Sequence, residues 1–498
     1  MILLIRPSYV PPNSKNYECS LPIGLLSLGT SLVDNNVNVK IIDMMTMKDA
    51  WERIFSYVNE AVFVGITAMT SQVGNGIDIV KRLKINEKKV PIVWGGFHPS
   101  LFPNGTLNSE YCDIVCEGEG DITIVELYKS FMGTMPIEDV TGVWYKDRGN
   151  LLRTKKRDLL TKIPRLRYEL LENIDEYIPQ NLYPIEKNKV RCLQIHAGRG
   201  CFYRCTFCAE NVEFKHRKKE ASVIFEEMVN LVDRFKLDYI DIQDSDFFCS
   251  KKRIDELIKI IVESKSKINW IANCRANYFN QNYLNDNYLE KLALSGCKKV
   301  GLGVESGSDE FLSYIKKSIT VNHVKKAIAS LNKSGVMVAF SFIIGMPHET
   351  ISDMKKTLKL IWHIINNSKR YYIIGPALYR PYPGSEMHDQ AIASGYRPPT
   401  SIEEWSNLHF DYHGFVPGSL FPHMRGKERF TKYVRHIVDY RHLKNRKSTL
   451  LFFYIYNFLV LSRIKYDCFI FLYEHYPLYY ARLTINRCRA IFGILKNV

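Results

Sequence analysis

The run His196-Ala-Gly-Arg-Gly200-Cys201-Phe-Tyr-Arg-Cys205-Thr-Phe-Cys208 places three thiols at spacings of four and three. On a loop introduced by glycines, such spacings let the backbone curl so that all three sulfurs converge on one metal centre. A cubane iron–sulfur cluster normally takes four thiolates. Three cysteines therefore leave one iron open, and the amine and carboxylate of an amino acid can chelate it. The same spacing also describes one face of a helix, on which three cysteines would simply pack. A zinc site completed by His196 is a third reading, although zinc sites of this composition usually carry paired CxxC or HxC spacing. The other nine of the twelve cysteines stand singly and read as core residues.

The elements that must position this loop are legible on both sides of it. Before it, apolar runs over 2–5, 39–42, 61–67, 91–94 and 114–116 alternate with amphipathic helical stretches over 22–35, 51–58 and a segment ending near Arg82. Strands that are apolar throughout and alternate with helices predict a parallel sheet covered on both faces. Ligands of such doubly wound sheets sit beyond the carboxyl ends of the strands. That singles out Thr67, Gly95-Gly96-Phe-His98 and Glu117-Gly118-Glu-Gly-Asp121. After a hairpin over 142–154 and a proline-punctuated connector to about residue 189, a second alternating series begins. Its strands fall over 191–196, 239–243, 270–273, 299–304, 337–344 and 371–378. Six βα repeats predict a partial (β/α)6 barrel of the TIM type with its chemistry at the strand ends. The domains expected are 1–135, doubly wound and Rossmann-like; 136–189, hairpin and linker; 190–400, partial barrel; and 401–498, helical, basic and aromatic.

Length and composition agree. At 498 residues with 46% apolar and 24% charged content, the chain is globular and long enough to divide into two or three cores. The net charge of +16 raises nucleic acid as a partner. However, 15 basic and 4 acidic residues lie between 421 and 498, so +11 of the excess sits in the last sixth of the chain. The remainder is nearly balanced, which argues against a nucleic-acid surface. No apolar run reaches the roughly 18 residues of a spanning helix, and the expected location is cytoplasmic. An aromatic apolar stretch over 450–461, preceded by Arg441, Lys444, Arg446 and Lys447, reads as a helix capping the barrel. Its alternative is peripheral contact with a membrane or a carrier-bound substrate.

With these elements in place, CxxxCxxC directly after the first barrel strand, with Phe207 before the last cysteine, resembles the radical S-adenosylmethionine superfamily. In that family a [4Fe-4S] cluster passes an electron to the bound sulfonium of S-adenosylmethionine, whose C–S bond breaks to give methionine and a 5′-deoxyadenosyl radical. Val304-Glu305-Ser306-Gly307 resembles the family's ribose-contacting motif, and Gly345-Met-Pro347 its adenine-side turn. Ile240-Asp-Ile-Gln243-Asp244-Ser-Asp246-Phe247 stands where many members carry Gly-Gly-Glu and is nearer the Asp-Asp-x-Phe of cobalamin-containing members. Arg275 is a candidate for the cofactor carboxylate.

The first domain is similar to the cobalamin-binding domain of one subfamily. Its motifs fall at Pro22-Ile-Gly24-Leu25, Gly65-Ile-Thr67, Gly95-Gly96-Phe-His98-Pro99 and Glu117-Gly118-Glu119. The Asp-x-His-x-x-Gly loop that supplies an axial histidine in other cobalamin enzymes is missing after the first strand. The resemblance thus implies the cluster on Cys201, Cys205 and Cys208. It implies S-adenosylmethionine near Phe207, Gln243, Arg275, Glu305, Ser306 and Pro347, and cobalamin near Thr67, Gly95, Gly96, His98, Glu117 and Gly118. The activity implied is C-methylation of a small-molecule substrate at an unactivated carbon, with an electron donor such as flavodoxin or ferredoxin. A non-methylating radical cyclase or rearrangement enzyme, and a nucleic-acid-binding or RNA-modifying protein, remain as alternatives.

Overall fold

The computed structural model describes residues 1–9, 20–86, 89–182, 185–210, 215–407 and 421–441. The segment over 450–461 and the basic residues Lys444, Arg446 and Lys447 lie outside the described residues.

The first sheet comprises β1 (Ile2–Arg6), β2 (Val39–Asp43), β3 (Val64–Thr67), β4 (Ile92–Gly95), β5 (Ile114–Cys116), β6 (Val143–Asp147) and β7 (Asn150–Arg153). Its order is β2-β1-β3-β4-β5-β6-β7. The first five strands are parallel, and β6 and β7 add to β5 antiparallel. The hairpin expected over 142–154, and grouped there with the linker as a unit of its own, is therefore the edge of the first sheet. Its inward residues explain this, since Val143 and Tyr145 are buried while β7 is exposed along its length. β1 shows why the strands carry no polar alternation: all five of its residues are buried, as both faces are covered by helices.

The second sheet holds β8 (Pro179–Gln180), β9 (Val190–Ile195), β12 (Tyr239–Ile242), β13 (Asn269–Cys274), β14 (Cys297–Glu305), β15 (Met337–Ile344) and β16 (Tyr371–Leu378). Between β9 and β12 stands a small antiparallel pair, β10 (Gly198–Arg199) and β11 (Arg217–Lys218). The order is β16-β15-β14-β13-β12-β9-β8, with six parallel strands and β8 antiparallel at one edge. β16 and β8 are the two edges, so the barrel is partial. Helices such as Ala221–Phe235 and Ile351–Asn367 cover its convex face. In the latter, the Thr350 hydroxyl accepts the Asp353 N–H and the Asp353 side chain reaches back to the Thr350 N–H, closing both ends of a capping box. Met354, Leu358, Ile361 and Ile365 then fall on one buried stripe.

Of the C-terminal section, two α-helices and a 3-10 turn over Pro422–Met424 are described. Ile402–Asn407 packs against Val73–Ile85 of the first domain, and Glu428–Arg441 packs against β16 and Ile351–Asn367. Among the described residues no helix is long and apolar enough to cross a membrane.

Candidate active site at the facing ends of two sheets

The chain leaves β9 at Ile195 and is captured at once. Asp244, buried just beyond β12, accepts the N–H of Ala197 at 2.7 Å and of Gly198 at 2.9 Å. A Cβ at Gly198 would stand 2.9 Å from both the Arg217 carbonyl and the Asp244 carboxylate, so only glycine fits this crossing. Buried Arg253 donates to the Ala197 carbonyl at 3.1 Å and the Phe247 carbonyl at 2.7 Å. Further along, Thr206 N–H bonds the Ile315 carbonyl, and Met387 N–H bonds the Thr206 carbonyl. The cysteine loop is thus fixed by Asp244 just beyond β12, by the end of the helix Asp309–Tyr314 and by the helix Glu386–Ala393.

Cys205 is buried and Cys201 and Cys208 half-buried, all three as free thiols. Burial, with smaller contributions from Glu210, Cys205 and Cys201, pushes the Cys208 thiol up to about 11, so the three lie within electrostatic reach of one another. Among the described residues no group of His, Cys, Asp and Glu is arranged to hold a metal ion. The zinc reading with His196 thus finds no support in geometry.

Beside the loop, the Arg275 guanidinium lies 3.4 Å from the centroid of the Tyr203 ring and donates to the Lys317 carbonyl. The Tyr203 hydroxyl accepts from Asn277 at 3.0 Å and is 3.4 Å from that of Tyr278, which donates to Asp246 at 2.7 Å. Asp246 is 1% exposed, and burial raises its carboxyl to about 6. One oxygen of Asp246, Nε of Arg275 and the side-chain oxygen of Asn277 are buried without a partner. Groups of this kind are normally satisfied, so their clustering beside Cys201 fits a polar ligand such as an amino-acid moiety.

Glu305 ends β14 with φ +67° and accepts from Lys317 at 2.8 Å. The Lys317 ammonium also lies 5.5 Å from the centre of the Phe207 ring. Phe207, Arg275 and Glu305 are therefore brought together, with Lys317 as the cation between them. Lys317 escaped sequence reading because it follows a short helix, Asp309–Tyr314, through a turn in which Lys316 and Ser318 both take positive φ. Ser306 turns elsewhere: its hydroxyl is 3.2 Å from that of Thr357 and accepts the Ser308 N–H. Pro347 is buried in a turn whose Gly345 and Met346 N–H groups are held by Glu349. Gln243 is exposed and donates to Asp241 at 2.5 Å.

The carboxyl ends of the first sheet carry Thr67, Gly95 and Gly96. Gly96 has φ +91°, and a Cβ there would meet the Thr67 hydroxyl at 2.7 Å, so the backbone offers a bare turn. Met69 and Phe97 beside it are 58% and 42% exposed, an apolar rim suited to a large organic ring. His98 is placed differently from Gly96. Its ring is buried edge-on to Trp405 at 5.3 Å, with Nδ1 3.0 Å from the Thr70 hydroxyl, and burial lowers its pKa to about 3. The Glu117 carboxylate is taken by Arg153 at 2.8 Å and the Trp144 indole at 2.5 Å. Gly118 N–H donates to the Ser100 hydroxyl.

The two strand ends are joined. Arg199, in the cysteine loop, donates to Asp121 at 2.9 and 3.1 Å, to Glu119 at 3.2 Å and to Ser27 at 2.6 Å. Arg217 adds two bonds to Glu119 at 2.7 and 2.8 Å.

Comparison with known proteins agrees with this arrangement. The family model of the radical SAM superfamily matches residues 195–361, and that of the B12 binding domain matches residues 14–128. The chain is 29% identical to an uncharacterized methyltransferase of Pyrococcus horikoshii, over 75% of this chain and 79% of that one. It is 23% identical to the cytidylyl-2-hydroxyethylphosphonate methyltransferase of Streptomyces wedmorensis, covering 80% and 83%. Its fold is similar to that of the radical S-adenosylmethionine methyltransferase TsrM of Kitasatospora setae, solved with cobalamin and a [4Fe-4S] cluster. The TM-score is 0.63 at 18% identity, covering 80% of this chain and 79% of that one. Taken with the three-cysteine loop and the doubly wound sheet docked upon it, these matches make the chain a member of the radical SAM superfamily that carries a B12-binding domain ahead of its radical SAM domain.

Proposed function

We propose that the protein is a cobalamin-dependent radical S-adenosylmethionine enzyme that methylates carbon in a small-molecule substrate. The observation that carries this is the docking of the cysteine loop onto the carboxyl end of the first sheet through Arg199 and Arg217. Cys201, Cys205 and Cys208 would hold the cluster, the Asp246, Arg275 and Glu305 neighbourhood would hold S-adenosylmethionine, and the Thr67 and Gly95–Gly96 turns would receive cobalamin. When bound, these groups supply reductive cleavage of the sulfonium and a transferable methyl group.

The chain's own residues do the positioning. Asp244 and Arg253 fix the loop entry, so the three sulfurs keep one arrangement. Arg275, stacked on Tyr203, offers a fixed cation beside Cys201. Glu305 presents a carboxylate already oriented by Lys317, so its alignment is settled before a ligand arrives. Docking of the two domains through Arg199 and Arg217 would shield the space between the strand ends from water and oxygen. A small electron carrier of the flavodoxin or ferredoxin class is the partner this reading requires.

The test is anaerobic reconstitution of the full chain with iron, sulfide and cobalamin. Absorption spectroscopy would follow cluster and corrin, and mass analysis would follow the products. Formation of 5′-deoxyadenosine together with S-adenosylhomocysteine and a product one methyl heavier is expected. A product of unchanged carbon count would assign cyclisation or rearrangement instead, and absence of a cluster would refute the reading.

A further inference from the structure

The concave face of the second sheet contains a cavity of about 430 Å³, within the range of small-molecule sites. Its floor is apolar, with Leu182 and Cys192 in the lining and Tyr239 and Ile271 in the same buried cluster as Cys192. Its wall is not. Asp241 pairs in register with Ile271, and Ile271 with Lys299. The carboxylate and the ammonium therefore stand at one level of the sheet two strands apart, about 10 Å at the backbone, and both line the cavity. The Lys299 ammonium, only partly exposed, makes no hydrogen bond and no ion pair within 4 Å among the described residues. Asp241 accepts one bond, from Gln243 at 2.5 Å. Burial raises the Asp241 carboxyl against the pull of Lys299. Two opposite charges that line one cavity and are not paired to each other offer a ligand seated between them a partner for each sign.

The position is separate from the nucleotide side of the site. Glu305 lies six residues further along β14 than Lys299, roughly 20 Å at the rise of a strand. The cysteine loop, by contrast, begins just past Ile195, whose partner Ile242 directly follows Asp241. A ligand seated at Asp241 and Lys299 thus has the cluster loop above it. The first domain reaches the same space, since Ser20 lines the cavity and the neighbouring Leu21 N–H donates to Gln194 at 2.9 Å.

We propose that this cavity is the anchoring subsite for the substrate and selects a zwitterion, with a carboxylate on Lys299 and an ammonium on Asp241. The assignment rests on the function proposed above and adds the class of molecule that the site accepts. Gln243 belongs to this subsite: its amide orients the Asp241 carboxylate and lies on the rim between the anchoring layer and the cysteine loop.

Ligand-observed saturation-transfer NMR on the reconstituted full chain tests the assignment, with S-adenosylhomocysteine present throughout to fill the nucleotide side. The probes are the common amino acids at millimolar concentration and, for each that binds, its amide and its deaminated acid. At least one amino acid should bind, with both derivatives weaker by about tenfold or more. Lys299→Met should abolish the preference for acid over amide, while Lys299→Arg keeps it. Asp241→Asn should abolish the preference for the ammonium-bearing form. Two outcomes overturn the proposal: no amino acid binds, or binding and its preferences survive Lys299→Met in a variant that melts like the parent protein. Cluster absorbance and 5′-deoxyadenosine formation, read on the same preparations, test the proposed function separately. A chain that cleaves S-adenosylmethionine yet ignores every zwitterion refutes the subsite alone.

Discussion

Arg199 of the cysteine loop and Asp121 of the first domain meet at 2.9 Å across the domain boundary, and the Asp121 side chain is 6% exposed. Seventy-eight residues separate them in sequence, and the contact joins the loop assigned to the cluster to the end of the B12-binding sheet. Removing Arg199 leaves the Asp121 carboxylate buried without a counter-charge. Arg199→Gln should therefore lower the unfolding free energy by about 3 kcal/mol and expose the connector between the domains to protease. The double variant Arg199→Gln with Asp121→Asn should lose less than the sum of the single losses. Urea unfolding of the four proteins gives the coupling directly, and full additivity would show that the two residues act independently.

The same contacts set the response to acid. Burial by itself would raise the carboxyls of Glu119 and Asp121, but the guanidinium of Arg217 on Glu119 and of Arg199 on Asp121 brings both below their ordinary values. For an acid whose pKa is lowered by folding, the stabilisation is complete above the unfolded value, about 4 for these groups. It is lost as pH falls through the lowered folded value. The domain junction should thus hold through neutral pH and weaken below about pH 4. Glu119→Gln should flatten that acid limb in a melting series, and an unchanged limb would place the acid sensitivity elsewhere.

Each of Cys201→Ser, Cys205→Ser and Cys208→Ser should remove the broad visible absorbance of the reconstituted cluster and, with it, formation of 5′-deoxyadenosine. Cys249, whose sulfur lies 3.1 Å from His216 Nε2 and is pushed up to about 12 chiefly by burial, is the internal control. Cys249→Ser should keep the cluster spectrum. Loss of the cluster in that variant would add a fourth thiol to the ligand set.

Lys317 offers a test of how Glu305 is prepared. With its 2.8 Å bond to Glu305 and its place over Phe207, the ammonium fixes a carboxylate that is itself almost buried. Lys317→Met should weaken binding of S-adenosylhomocysteine by about tenfold, the cost of losing a charge-assisted bond of roughly 1.5 kcal/mol. Lys317→Arg should restore most of it. Titration calorimetry reads both, and equal affinity in all three proteins would confine Lys317 to packing.

The strand ends were legible in sequence because each is a local signal: an apolar run closed by a glycine or a charge, as at Val304-Glu305 or Trp94-Gly95-Gly96. The cysteine loop was legible because its three cysteines lie within eight residues. The salt bridges of Arg199 and Arg217 carry no such mark. Glu117-Gly-Glu119-Gly-Asp121 reads as one acidic turn, yet the fold divides it: Glu117 goes to the hairpin through Arg153, whereas Glu119 and Asp121 go to the other domain. His98 sits in a turn that could face a ligand, and only the arrival of Trp405, some three hundred residues later, covers it. Lys299 and Asp241 lie inside strands, where sequence pattern separates one face from the other. Whether the inner face lines a core or a cavity is decided by the curvature of the whole sheet.

Glu349 gives the last prediction, and its sign is opposite to that of the domain junction. The side chain is 0% exposed, accepts the N–H groups of Gly345 and Met346, and leaves its second oxygen without a partner. Burial raises its carboxyl to about 8, against the pull of the two amides. In the unfolded chain the group ionises near 4.3, so between about pH 4.5 and 8 folding takes up a proton and stability declines as pH rises. Glutamine keeps the accepting oxygen and cannot ionise. Glu349→Gln should therefore leave stability almost unchanged at pH 5 and increase it at pH 8 by about 1–3 kcal/mol, with the turn around Pro347 intact. Chemical unfolding at the two pH values decides this, because a gain equal at both would mean that Glu349 is ionised in the folded protein and that its amide bonds, not its proton, govern the turn.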